Sequence, residues 1–92
     1  MAGFALSTEV YILRCADNSL YIGETGDVER RLEKHQQGGC TYTATRRPVA
    51  LVYSETYPSR ESALQRERQL KGWKRDKKEA LIRSDLTTLT KL

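Results

Sequence analysis

The stretch SLYIGETGDVERRLEKH, residues 19–35, changes its repeat partway along. SLYIG reads as a short strand, and VERRLEKH, after Gly26-Asp27, reads as a helix. A switch this abrupt calls for a mixed fold, because strand and helix must bury their apolar sides against a neighbour. Upstream, TEVYILRC (8–15) is rich in β-formers. ADNS between the two runs has turn composition, so a β-hairpin is expected. Asp27 is a candidate N-cap, since its short side chain can accept from a freed backbone N–H of the first turn.

The rest of the chain extends the pattern. QQGGCTYTATRRPV reads as a loop, opened by a glycine pair that ends the helix, and Pro48 keeps the residue before it extended. ALVYSETY (50–57) is a third strand. Ser59 is the candidate N-cap of a helix running to about Trp73, with Glu61 in its first turn. RDKKEALIR continues as a further helix after a break near Gly72, and the tail SDLTTLTKL is ambiguous. The expected order is β-β-α-β-α-α, a small α/β sandwich in a single domain over residues 1–92.

Charge narrows the partner. Residues 60–83 hold nine Lys/Arg against four Asp/Glu, while the remainder holds seven against eight. A basic C-terminal half suggests a polyanionic partner, the plain alternative being a solvated helical face. With 38% hydrophobic and 30% charged residues, the chain is neither membrane-embedded nor of disordered composition. No apolar run approaches the ~20 residues that span a bilayer. MAGFALSTEV has no basic n-region, so no signal peptide is expected and the cytoplasm is the expected compartment. Two cysteines, Cys15 and Cys40, and one histidine supply neither a disulfide scaffold nor a zinc set.

On a helical wheel, Val28, Leu32 and His35 cluster, with Arg31 beside them. Arg31 and His35 are thus an i,i+4 pair bordering the apolar stripe. Taken alone, Arg31 is explained by snorkelling and His35 by a place on the rim of the core. In the second helix Ala63, Leu64 and Leu70 make the apolar arc, Glu67 falls inside it and Lys71 beside it. A carboxylate there needs a partner. It could be an ion pair with Arg31 or Lys71, or a divalent cation, since magnesium often takes only one protein carboxylate. Tyr11 and Tyr21 lie on adjacent strands. A two-residue turn at Asp17-Asn18 puts them on opposite faces, and a three-residue loop, Asp17-Asn18-Ser19, puts them on one face. Both readings stay open on the residues alone.

Tyr11 in EVY, Tyr21 in YIG, Arg31 in the following helix and Glu67 closing ALQRE, in that order, resemble the GIY-YIG nuclease domain. The resemblance spans about residues 8–83. It is strongest to small stand-alone bacterial members, themselves similar to the N-terminal nuclease domain of UvrC. The first motif departs from the pattern: Glu9-Val10-Tyr11 lacks its glycine and isoleucine, and Glu9 brings negative charge toward a phosphate site.

The resemblance implies a three-stranded antiparallel sheet flanked by helices, with both tyrosines on one face and hence an odd-length hairpin loop. It also implies metal-dependent hydrolysis of DNA phosphodiester bonds, in repair or processing. Tyr11 would act as general base, its pKa lowered from about 10 by Arg31 or the metal. Tyr21 would position water or phosphate, Arg31 would hold the scissile phosphate, and Glu67 would bind one Mg²⁺ or Mn²⁺. His35 would assist, and Gly23 would leave room for a close phosphate. Lys71, Lys74, Arg46 and Arg47 would contact the nucleic-acid backbone. The alternative is a nucleic-acid-binding module that is not catalytic or needs a protein partner.

Overall fold

A computed structural model describes residues 7–84. Expectations for the first six residues and for the tail after Ser84 lie outside that span. Three strands, β1 (Thr8–Cys15), β2 (Leu20–Thr25) and β3 (Val49–Tyr57), form one antiparallel sheet in the order β2-β1-β3. Four helices accompany it: α1 (Val28–Gln36), α2 (Thr41–Ala44), α3 (Arg60–Lys71) and α4 (Arg75–Arg83). This is the expected α/β architecture, a three-stranded antiparallel sheet flanked by helices. The one additional element is α2, a single turn inside the expected loop. Four residues with two threonines carry no helical period, so nothing in their pattern announces it.

The helix starts follow from their caps. Asp27 accepts from the Arg30 N–H at 3.1 Å, and Ser59 accepts from the Ser62 N–H at 3.2 Å. Gly72 ends α3, with its N–H bonded back to the Gln69 carbonyl and the Trp73 N–H to the Leu70 carbonyl, both at 3.1 Å.

β1 is the central strand and is covered on both faces. Val10, Ile12 and, from β2, Ile22 pack against Ala63 and Leu70 of α3 and Leu81 of α4. On the other face Tyr11, Leu13 and Cys15 pack with Val49, Tyr21 and the α1 residues Val28 and Leu32. Full burial of a side chain such as Ile12 contributes about 1.5–3 kcal/mol relative to exposure. The pairing of β1 with β3 slips between Ile12↔Tyr53 and Leu13↔Leu51. The extra residue is Val52, so the consecutive Val52 and Tyr53 both pack against the α3-side cluster.

The hairpin loop is odd in length but sits one residue earlier than the three-residue alternative. Cys15 N–H bonds to the Ser19 carbonyl at 2.9 Å, and Asn18 N–H to the Cys15 carbonyl at 2.8 Å. The loop is therefore Ala16-Asp17-Asn18. Asn18 takes φ +70°, which asparagine tolerates, and supplies the left-handed residue that such loops need. Tyr21 faces Leu13 across the ladder rather than Cys15, and shares the face of Tyr11.

Two buttons fix the helices on the sheet. Glu55 on β3 accepts from Tyr53 at 2.6 Å, from Tyr57 at 2.8 Å and from two Arg66 nitrogens at 2.9 Å, tying α3 down. Glu79 on α4 accepts both Arg14 nitrogens at 2.6 and 2.9 Å and Arg75 at 2.9 Å. The Arg14 bonds hold the Glu79 pKa at about 2, against an ordinary 4.5. Burial pushes Glu55 upward, but Arg66 and the two phenols outweigh it and leave it below its ordinary value. Depressed carboxylate pKa values mean stability that is complete above about pH 4.5 and is lost as the pH falls toward 2. Thermal melts are therefore expected to drop progressively across that window, and Glu79→Gln to flatten the drop. A Glu79→Gln profile parallel to the parent would rule out this origin.

Candidate functional site

Tyr11 of β1 lies beside Gly23 of β2, its partner in the ladder. The ring covers the glycine: a Cβ built on Gly23 would stand 2.6 Å from the Tyr11 hydroxyl oxygen and 2.7 Å from Cζ. Gly23 thus leaves room for the tyrosine ring, where a close phosphate was the expectation.

His35, in the last turn of α1, meets the Tyr11 hydroxyl through Nε2 at 3.1 Å. Its Nδ1 lies 2.7 Å from Oγ1 of Thr43 in α2. Tyr11 is 1% exposed, and His35 and Thr43 are 0% exposed. His35 is therefore not a rim histidine. Helix α2 supplies its second partner, and the tyrosine ring closes over it. Tyr21 completes the aromatic group, with its ring centroid 4.9 Å from that of His35 and 6.3 Å from that of Tyr11. Its hydroxyl accepts a weak bond from Cys40 Sγ at 3.7 Å. On the outer side it meets the exposed Tyr42 at 5.7 Å, and the Arg46 guanidinium lies 4.1 Å over the Tyr42 ring.

Burial decides the ionisation of this group. It pushes the Tyr11 phenol up; Arg31 opposes it by hydrogen bonding and by its positive charge, while the charges of Cys40 and Glu67 add to the rise. The net shift is upward, so the lowered pKa expected of a tyrosine beside Arg31 is not found. Tyr21 is pushed up by burial and by its bond with Cys40. His35 is pushed down, first by burial and then by the charges of Arg31 and Lys34. Two neutral phenols and a neutral imidazole are the result at neutral pH.

Arg31 is half-buried and borders two clefts. One, of about 500 Å³, is lined by Thr8, Glu24, Thr25 and Arg60; the other runs along α1 past Arg30 and Lys34. Glu67 comes from α3, whose apolar side covers the opposite sheet face, yet its charge reaches the Tyr11 phenol. Its carboxylate pairs with Lys71 at 3.2 Å. Among the described residues no ion pair joins Arg31 to Glu67. Lys71 also lines a cleft of about 270 Å³ with Tyr21, Tyr42 and Lys78.

Arg46 and Arg47 are occupied within the protein. Arg46 bonds to Asp17 at 3.1 Å and to the Tyr42 carbonyl at 2.6 Å. Arg47 bonds to the carbonyls of Ala44 at 2.9 Å and Gln36 at 3.1 Å. Both brace the α2 loop. Lys74 is exposed at the start of α4 and takes no part in the aromatic group. Thr43, Cys40 and Tyr42 belong to the site although no repeat or spacing marks them. The single cue was their place between a helix-ending glycine pair and Arg46-Arg47.

Among the described residues no group of three or more His, Cys, Asp or Glu is placed to hold a metal ion. A divalent cation at Glu67 would find one carboxylate, already paired with Lys71, and would draw its other oxygens from water and phosphate. That donor set suits magnesium or manganese and not zinc. Among the described residues no helix is long and apolar enough to cross a membrane.

Comparison with known proteins identifies the family of the fold. A UPF0213 protein of Staphylococcus aureus (strain Mu3) is 51% identical over 75 residues, 80% of this chain and 92% of its own. The solution structure of the UPF0213 protein BH0048 from Bacillus halodurans superposes with a TM-score of 0.57 at 42% identity, covering 94% of this chain and 96% of that one. The solution structure of EF2693 from E. faecalis gives 0.60 at 38%, covering 85% and 84%. The family model of the GIY-YIG catalytic domain matches residues 8–80, from the first residue of β1 into α4. The tyrosine pair, the α1 arginine and the α3 glutamate all fall within that match, and the chain belongs to the GIY-YIG family.

Proposed function

We propose that the protein is a nucleic-acid-binding module of the GIY-YIG type, not catalytic by itself or catalytic only with a partner. One observation carries this reading: the phenol that should act as base is sealed in and keeps its proton. A general base must touch the water it deprotonates, and Tyr11, 1% exposed, bonds to His35 instead. The cationic groups nearby are open by comparison. Arg31 faces two clefts, and Lys71 and Lys78 line a third. With a net charge of +4, these positions suit the phosphates of a nucleic-acid backbone, with DNA the expected polymer.

A second reading, a metal-dependent DNA endonuclease, is favoured by the buried Tyr11–His35–Thr43 group. A buried polar group whose members are all hydrogen-bonded is held rigidly, and here that rigidity sets the Tyr11 hydroxyl against His35 Nε2. In that reading Arg31 orients the phosphate, Tyr21 lines the path to it, and His35 stands ready to accept the Tyr11 proton. Glu67 would hold Mg²⁺ or Mn²⁺, which supplies charge stabilisation at the leaving oxygen.

Fluorescence anisotropy with labelled DNA tests the first reading. Affinity is expected to fall as salt rises, and Lys71→Ala and Lys78→Ala each to reduce the log–log salt slope by about 0.9. Binding to neither DNA nor RNA at low salt would sink it. Supercoiled plasmid with Mg²⁺ or Mn²⁺ separates the two: nicking that Glu67→Ala abolishes would select the endonuclease, and intact plasmid the binding module.

A further inference from the structure

We infer that Thr43 is a positioning residue: it holds His35 in the Nδ1–H tautomer, so that Nε2 always meets Tyr11 as an acceptor. The inference deepens the proposed site and rests on that reading only for its use, since the tautomer itself follows from the hydrogen bonds.

The two tautomers can be told apart by counting hydrogens. With the proton on Nδ1, each donor has an acceptor. Tyr11 donates to Nε2 at 3.1 Å, Nδ1–H donates to Thr43 Oγ1 at 2.7 Å, and the Thr43 hydroxyl turns to the Cys40 carbonyl at 3.4 Å. With the proton on Nε2, the Tyr11 oxygen accepts from His35, and Thr43 must donate to Nδ1. The Tyr11 hydrogen then loses the acceptor that the structure gives it, because His35 Nε2 is the hydrogen-bond partner of that hydroxyl among the described residues. A stranded buried donor is costly, which selects the first arrangement. Burial and the charges of Arg31 and Lys34 keep the ring neutral, so one tautomer must be chosen.

The consequence is directional. Tyr11 is the donor, His35 the acceptor, and Thr43 the anchor delivered by α2. A proton leaving Tyr11 along this bond goes to Nε2, and the imidazolium so formed still bonds to Thr43.

His35 is the one histidine in the chain, so nitrogen NMR of the ¹⁵N-labelled ring reads it without ambiguity. The parent is expected to show a protonated-type Nδ1 and an acceptor-type Nε2. Thr43→Val, which keeps the shape and removes the acceptor, should exchange the two signal types or mix them; Thr43→Ser should restore the parent pattern. Nε2–H in the parent overturns the inference, and so does an unchanged Nδ1–H form in Thr43→Val. Should Thr43→Val fail to fold, Thr43→Ala gives the same reading with less crowding, and the parent spectrum alone still decides the tautomer. Failure of the proposed function would look different: the tautomer as assigned, but no binding to nucleic acid.

Discussion

Replacing His35 by alanine is expected to remove about 3–5 kcal/mol of folding stability. Truncating a large buried side chain leaves a cavity, and such changes cost about 2–5 kcal/mol. The Tyr11 hydroxyl would also lose its partner, at about 1–3 kcal/mol for a buried group left bare, while Thr43 keeps its bond to the Cys40 carbonyl. Water entering the cavity offsets part of that sum. Small domains have about 5–15 kcal/mol in total, so the variant should be close to unfolding at 37 °C. Urea denaturation followed by circular dichroism measures it. The midpoint should fall with the slope little changed, which would mark a loss of stability rather than a change of the unfolded chain. The combined variant Tyr11→Phe, His35→Leu, Thr43→Val should regain much of the loss, because it strands no donor. A loss below about 1 kcal/mol for His35→Ala would mean that the buried group does not hold α1 and α2 to the sheet.

Gly23→Ala should disturb the same group from the other strand. One methyl group would meet the Tyr11 hydroxyl oxygen at 2.6 Å and Cζ at 2.7 Å, well inside van der Waals contact. The ring cannot retreat cheaply, since His35 and Tyr21 pack against it. Overpacking of this kind costs about 1–3 kcal/mol. Its signature should exceed its stability cost: the Tyr11–His35 bond breaks, and the His35 ring-nitrogen signals shift even where the fold survives. Gly26→Ala is the control, because nothing lies within 4 Å of a Cβ at that position. Equal stability and equal His35 signals in the two variants would refute the proposed close approach.

Local signals carried much of the fold. Asp27 and Ser59 have the short acceptor side chains that cap helices, and both do so. The strands announced themselves through β-branched and aromatic runs. Where local pattern ran out, a non-local contact decided. The parity of the hairpin depended on whether Asn18 would take a left-handed conformation, and the residues ADNS permit several loops. His35 looked like a rim residue because its two partners come from β1 and α2, 24 and 8 positions away. The charge of Arg46 and Arg47 was plain, but their engagement by Asp17 and by three carbonyls was not. Glu55 shares a strand face with Tyr53 and Tyr57 by alternation, but its pairing with Arg66 was not legible, because it forms only once α3 packs on the sheet. For the site, the order Tyr11, Tyr21, Arg31, Glu67 carried the resemblance to the family whose model matches residues 8–80. It could not indicate that burial would outweigh Arg31 and raise the Tyr11 pKa.

The central position of β1 has a consequence for how this chain can change. Its odd-numbered residues face the aromatic group and its even-numbered ones face α3 and α4. Because strand side chains alternate, inserting or deleting one residue within β1 would exchange the two sets. Tyr11 would be driven among the aliphatic side chains and Ile12 placed against His35. Point substitutions can damage the site or the core one at a time; a length change in this strand damages both together. Variation in length should therefore gather at the helix joints and the 37–48 loop, and libraries built on this scaffold should keep the spacing of β1 while varying its identity.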